Sequence, residues 1–301
     1  MHPPAIVSGV LRAALLLSMI ATSITAKAQL LTWPDLTGRP RPQATVTIDY
    51  GTDPLQKVDL WLPDGKGKFP VVVLVHGGCW QTSVADHHLM DWIADDLRKE
   101  RIAVWNIEYR GVDRAGGGYP GTFSDVAKAT DQLAKAASKY HLDTRRVVAV
   151  GHSAGGHLAL WLAGRPKLPK TSPLRTSRPV RIAHVIALGS LPDLEATASS
   201  PDNGCGCEVV GQLIGSGRAD PYADTSVPRL FPLGIPQDLV NGREDKIVPI
   251  RMATDYVARA TAAGDKVELH IVPDTGHVEL ITPETTAWAE ARRLVKKALR
   301  K

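Results

Sequence analysis

The stretch R-R-V-V-A-V-G-H-S-A-G-G-H-L-A-L-W-L, Arg145 to Leu162, decides how the rest of the chain is read. Its first part, Val147 to Val150, is a β-branched apolar run of the kind that forms a buried strand. Its last part, Gly156 to Leu162, is apolar on all sides, as a buried helix is. Between them, Gly151-His152-Ser153-Ala154-Gly155 leaves room only for a sharp turn with a serine at its tip. Such a turn projects the serine oxygen beyond the strand end, and glycines two residues either side let strand and helix approach without a clash of Cβ atoms. The pentapeptide alone is common. Set between a buried strand and an apolar helix, it marks Ser153 as a nucleophile.

Outward from this turn, apolar runs alternate with amphipathic stretches. Phe69 to Val75 is almost continuously apolar, as in a strand buried on both faces, and ends at His76-Gly77-Gly78. Before it, Ala44–Tyr50 and Lys57–Leu62 alternate around a Gly51–Pro54 turn and predict an antiparallel hairpin. Asp86 to Glu100 predicts a helix with Leu89, Trp92, Ile93 and Leu97 on one face. Ile102–Ile107 predicts a strand, and Ser124 a cap for a helix reaching Tyr140. Beyond the serine turn, strands are predicted at Ile182–Leu188, Gln237–Asn241 and Val267–Val272. Helices are predicted at Arg251–Ala263, closed by Gly264, and Pro283–Leu299. Residues 190–236 are rich in Gly, Pro, Asp and Ser and predict a small irregular lid without a large helical cap. The pattern is α/β: a mostly parallel central sheet with an N-terminal antiparallel hairpin and helices on both faces.

The 301 residues are 44% hydrophobic and 22% charged, which suits one large domain over residues 44–301, preceded by a Pro-rich extended arm at 29–43. Arg12, the apolar run Ala13–Ile24 and the small residues Ala26-Lys27-Ala28 predict a signal peptide over residues 1–28 and hence an exported protein, periplasmic or secreted. The run is shorter than the roughly 20 residues of a membrane span, so no stable membrane insertion is expected. Cleavage before Gln29 removes Arg12, Lys27 and no acid, taking the net charge from +5 to +3. With no basic block, no nucleic-acid partner is expected. Of the three cysteines, Cys205 and Cys207 are expected to pair locally or remain free thiols, and Cys79 is the odd one, near the candidate site. No four-ligand set for zinc accompanies them, so no metal is expected.

A serine hydroxyl needs a base, and the base an orienter. Asp245, in Asn241–Pro249, and His277, in Pro273–Glu279, follow Ser153 on the loops after two successive predicted strands. Glu244 and Asp193 compete for the acid's role; His270, His152 and His157 read as structural. The oxyanion requires backbone N–H donors. Ala154 supplies one and the glycine-rich loop at Gly77 and Gly78 the other, while Trp80 is expected to line the acyl pocket.

The set H-G-G-C-W at 76–80, G-H-S-A-G-G-H-L at 151–158, G-R-E-D-K-I-V-P at 242–249 and D-T-G-H-V-E-L at 274–280 resembles the serine esterases of the α/β-hydrolase superfamily. It is most similar to the branch holding kynurenine formamidases, hormone-sensitive-lipase-like esterases and bi-domain feruloyl and acetylxylan esterases. The segments Asn106–Arg110 and Gly116–Phe123 add to the resemblance, which spans Thr45 to the C-terminus. It implies an α/β-hydrolase fold with Ser153 as nucleophile, Asp245 as acid and His277 as base, Gly77, Gly78 and Ala154 as oxyanion hole, and no cofactor. The expected reaction is hydrolysis of a short-chain or aryl carboxylic ester, or of an acylated saccharide, through an acyl-enzyme. Amide hydrolysis of the arylformamidase kind is the alternative. Cys79, where kynurenine formamidases commonly carry tyrosine, and the leader both point away from it. A binding protein on an inactive scaffold is argued against by the intact Ser153, Asp245 and His277.

Overall fold

The computed structural model describes residues 1, 2 and 29–300. The leader read in residues 1–28 therefore lies, beyond its first two residues, outside the described residues. In chain order the main elements are α1 (Trp33–Thr37), β1 (Val46–Asp49), β2 (Lys57–Trp61), β3 (Phe69–Val75), α2 (Asp91–Lys99), β4 (Ala103–Ile107), α3 (Gly121–Ala136), β5 (Leu142–His152), α4 (Ala154–Gly164), β6 (His184–Leu188), α5 (Leu194–Ser199), α6 (Glu208–Ile214), β7 (Gln237–Gly242), α7 (Ile250–Ala262), β8 (Val267–Val272) and α8 (Thr286–Leu299).

The eight strands form one sheet in the order β1-β2-β4-β3-β5-β6-β7-β8. β1 and β2 form the expected antiparallel hairpin, β2 runs antiparallel to β4, and every other pairing is parallel. Alternation along β3 shows why its run is continuously apolar. Val71, Val73 and Val75 face the core under α3, α4 and α7, while Val72 and Leu74 face the core under α2 and α8. The carboxyl ends of β3, β5, β6, β7 and β8 consequently share one edge, where open α/β sheets gather their functional loops.

Three expectations are corrected. The arm at 29–43 is not extended throughout: Asp35 accepts from both the N–H and the hydroxyl of Thr32, each at 2.7 Å, and caps the short helix α1. That helix buries Leu36 completely against the α2 and α8 side, a contribution of roughly 1.5–3 kcal/mol. α3 begins at Gly121, so Ser124 lies in its first turn and caps nothing. The Thr122 hydroxyl instead accepts from Gly118 N–H at 3.0 Å and donates to the Arg110 carbonyl at 2.6 Å, fixing the loop earlier. The lid region agrees with the expectation of no large helical cap: it holds two short helices, α5 and α6, and Val209, Val210 and Leu213 of α6 enter the core. Finally, Cys205 pairs with Cys79 and not with Cys207, which is a free thiol. The lid folds back over the end of β3 and brings the Cα atoms of Cys79 and Cys205 to 5.3 Å, within ordinary disulfide reach.

Candidate active site

Ser153 sits between β5 and α4 with φ +54° and ψ −124°, a backbone conformation that costs energy outside glycine. Its N–H donates to the Leu188 carbonyl at 2.8 Å, which ties the turn to β6. A Cβ on Gly155 would come within 2.2 Å of the Val75 carbonyl oxygen, so only glycine allows α4 this close to β3. The buried serine lines a cavity of about 360 Å³ together with His277, His152 and Gly78.

His277 stands on the loop after β8, and its Nδ1 lies 2.6 Å from Asp245 Oδ2 on the loop after β7. Both side chains are almost fully buried. Asp245 Oδ1 accepts from the N–H groups of Ile247 and Val248 at 2.8 and 2.9 Å, which fixes the carboxylate plane. A proton on Nδ1 directed at Asp245 would leave the Nε2 lone pair free, the arrangement a candidate base requires. The competing acids are engaged elsewhere. Glu244 accepts from Thr275 N–H, and Asp193 caps α5 and pairs with Arg259. His270 is held between Asp238 and Glu290. His157 lies between the Trp80 indole and the Thr225 carbonyl.

His152, which the sequence alone marks as structural, lies against the candidate base. Its ring centroid is 4.3 Å from that of His277, and its Nε2 faces the His277 carbonyl at 3.1 Å. Burial first, then the nearby His277 charge, drives its pKa well below the ordinary value, so it stays neutral. Gly189, directly after β6, is a second residue the sequence reading passed over. At φ +49°, a Cβ there would stand 3.1 Å from both Asp245 Oδ2 and His277 Nδ1. A glycine closing an apolar strand was the available signal.

The loop after β3 is set from beneath. Tyr109 OH donates to the His76 carbonyl at 3.1 Å, and His76 Nδ1 lies 2.8 Å from the Gly77 carbonyl. Both peptides are trans, so each following N–H, of Gly77 and Gly78, points away from that side. Gly78 lines the cavity and Gly77 packs beneath the Ser153 Cβ. His76 Nε2 and His87 Nδ1 both meet the carboxylate of Glu108, at 3.0 and 2.8 Å, and His87 Nε2 meets Asp59 at 3.1 Å. Asp59, His87 and His88 are close enough to share a cation, yet both His87 nitrogens already face carboxylates, and none of the three lines the Ser153 cavity. Ala154 opens α4, so its N–H is one of the helix's orphan donors.

Trp80 does not line the cavity. It is completely buried and donates from Nε1 to His157 Nδ1 at 3.2 Å, because the loop turns it into the core. The aromatic residue at the cavity is Trp33 of α1, for which the sequence carried no motif.

A family model described as BD-FAE matches residues 58–259. The acylamino-acid-releasing enzyme of Rattus norvegicus is 26% identical over 71% of this chain and 29% of its own length. Kynurenine formamidase avaC of Aspergillus versicolor is 29% identical over 56% of this chain and 59% of its own. The chain thus spans less than two thirds of these curated relatives. A solved truncated carbohydrate esterase from gut microbiota superposes with a TM-score of 0.69 at 20% identity, covering 86% of this chain and 98% of that one. With the sheet order, the serine turn and the family match in agreement, the chain belongs to the BD-FAE family and has the α/β-hydrolase fold.

Proposed function

We propose that the protein is a serine carboxylic ester hydrolase acting on short-chain or aryl esters, including acylated saccharides. The carrying observation is the buried His277–Asp245 contact of 2.6 Å beside the strained Ser153, both histidine and serine lining one cavity. In this reading His277 Nε2 takes the Ser153 proton as the hydroxyl attacks the ester carbonyl, and Asp245 stabilises the imidazolium. The N–H groups of Ala154 and of Gly77 or Gly78 receive the oxyanion. His277 then protonates the leaving alkoxide, and water repeats the sequence on the acyl-enzyme. The residues require no metal or organic cofactor for these steps. Export by the leader at residues 1–28 belongs to the same proposal, and would expose the enzyme to acylated polysaccharides.

Amide or formamide hydrolysis is the second reading, favoured by the likeness to a kynurenine formamidase. The cavity lining argues for the ester: it contains no Asp, Glu, Lys or Arg among the described residues to pair with the charged amino-acid end of N-formylkynurenine. Turnover of p-nitrophenyl esters of rising chain length, beside N-formylkynurenine and a peptide anilide, tests the choice. Activity greatest on the two- to four-carbon esters and abolished in Ser153→Ala is the expected result.

A further inference from the structure

Three large hydrophobic side chains are exposed among the described residues: Met1, Trp33 and Val84. Trp33, 37% exposed, and Val84, 60% exposed, both stand at the Ser153 cavity. Trp33 is placed edge-on to the candidate base, 6.1 Å from the His277 centroid at 83°, and 6.3 Å from His152 at 74°. It lies within the reach of anything seated on Ser153.

The indole is held there by several independent anchors. Leu36 pins α1 to the core, and Asp35 caps it. Leu31 N–H donates to Glu279 Oε1 at 2.5 Å, two residues beyond His277. Arg39 pairs with Glu284 at 2.9 Å, and Trp92 Nε1 donates to the Pro40 carbonyl at 3.2 Å. The segment also lies outside the residues matched by the family model, 58–259, which therefore assigns it no role. Around the indole the cavity wall is apolar, through Val84, Leu89 and Ile247. Aromatic rings gain from edge and offset contacts beyond the area they bury, while the lining of the cavity itself holds, among the described residues, no Asp, Glu, Lys or Arg to pair with a charge.

We infer that Trp33 is a specificity-determining residue: its indole is the wall against which an uncharged aryl group of the ester packs, so that the N-terminal arm is part of the active site. This inference rests on the esterase reading of Ser153, and it commits that reading to an aryl-bearing neutral ester.

The test uses two substrate pairs of matched reactivity: benzyl acetate with ethyl acetate for the alcohol side, and methyl 3-phenylpropanoate with methyl propanoate for the acyl side. kcat/KM is measured for the wild type, Trp33→Ala and Trp33→Phe, with stoichiometric phosphonofluoridate labelling of Ser153 as the check that the site is assembled. In Trp33→Ala the aryl-over-alkyl ratio falls roughly tenfold in at least one pair, and in Trp33→Phe most of it is retained. Ratios that stay within twofold of the wild type in both pairs, or a Phe variant as poor as Ala, overturn the inference and leave the esterase reading standing. A wild type that labels at Ser153 but cleaves none of the four esters overturns the esterase reading, and the inference with it.

Discussion

At the scale of single residues, the site depends on positions that carry no reactive group. Gly189 is the sharpest case. Its positive φ and the 2.7 Å from its virtual Cβ to Leu280 Cδ1 leave an alanine no relaxed position, and the same Cβ would press on both partners of the His277–Asp245 contact. Gly189→Ala is therefore expected to lower kcat by about a hundredfold, the usual consequence of an ångström-scale displacement of a reacting group. Steady-state kinetics on p-nitrophenyl acetate check it, and a variant within threefold of the wild type would contradict the geometry. Ser153, Asp245 and His277 could be picked out as candidates because each belongs to a short pattern at a strand end, and Gly77 and Gly78 because an apolar strand runs straight into them. Trp80 was misread because a residue next to a cavity-lining turn can point either way; at φ +56° the backbone sends its indole into the core. Trp33 and His152 were not assignable, since the contacts that matter span more than a hundred residues of sequence.

At the scale of elements, periodicity located every strand, because burial on two faces or one leaves a direct imprint on the residue pattern. It missed what local polar chemistry creates. Thr32 with Asp35 makes a helix out of a Pro-rich arm, and α3 starts at Gly121, ahead of Ser124, behind a loop that the Thr122 hydroxyl ties together. The disulfide was invisible for a different reason: Cys79 and Cys205 are 126 residues apart, and only the folded path of the lid joins them. That same separation makes the link informative. Closing so long a loop restrains the unfolded chain by up to about 5 kcal/mol in the chain-entropy account. Cys205→Ser, or reduction of the wild type, is expected to lower the urea midpoint, and to free the lid region beside Gly204 to proteolysis before the rest of the chain. Unchanged midpoint and digestion pattern would show that the link neither stabilises the fold nor restrains the lid.

At the scale of the whole molecule, the buried cluster of Asp59, His76, His87 and Glu108 joins the hairpin, β4 and the loops following β3. Burial opposes the charge on His87, but its hydrogen bonds to Asp59 and Glu108, with the charges of both, outweigh that and raise its pKa from 6.5 to about 9. Burial likewise opposes the charge on Glu108, and the charges and hydrogen bonds of His76 and His87 hold its carboxyl far below the ordinary range. The sign follows from linkage. A raised histidine binds its proton more tightly when folded, so its contribution is complete below about pH 6.5 and is lost as pH rises through about 9. The urea midpoint is expected to decline between pH 7 and 9.5, with His87→Gln flattening that decline. A midpoint constant across the interval would mean that His87 is not held as an imidazolium.

The three scales converge on Ser153: a strained turn supplied by the sheet, a histidine held by a buried carboxylate, and a loop fixed from below. The most direct measurement is hydrolysis of p-nitrophenyl acetate by the purified protein and by Ser153→Ala, under conditions where both remain folded. The account predicts turnover by the wild type and a loss on the order of a millionfold in the variant. Equal rates in the two proteins, or no turnover of any ester by a folded wild type, would contradict it.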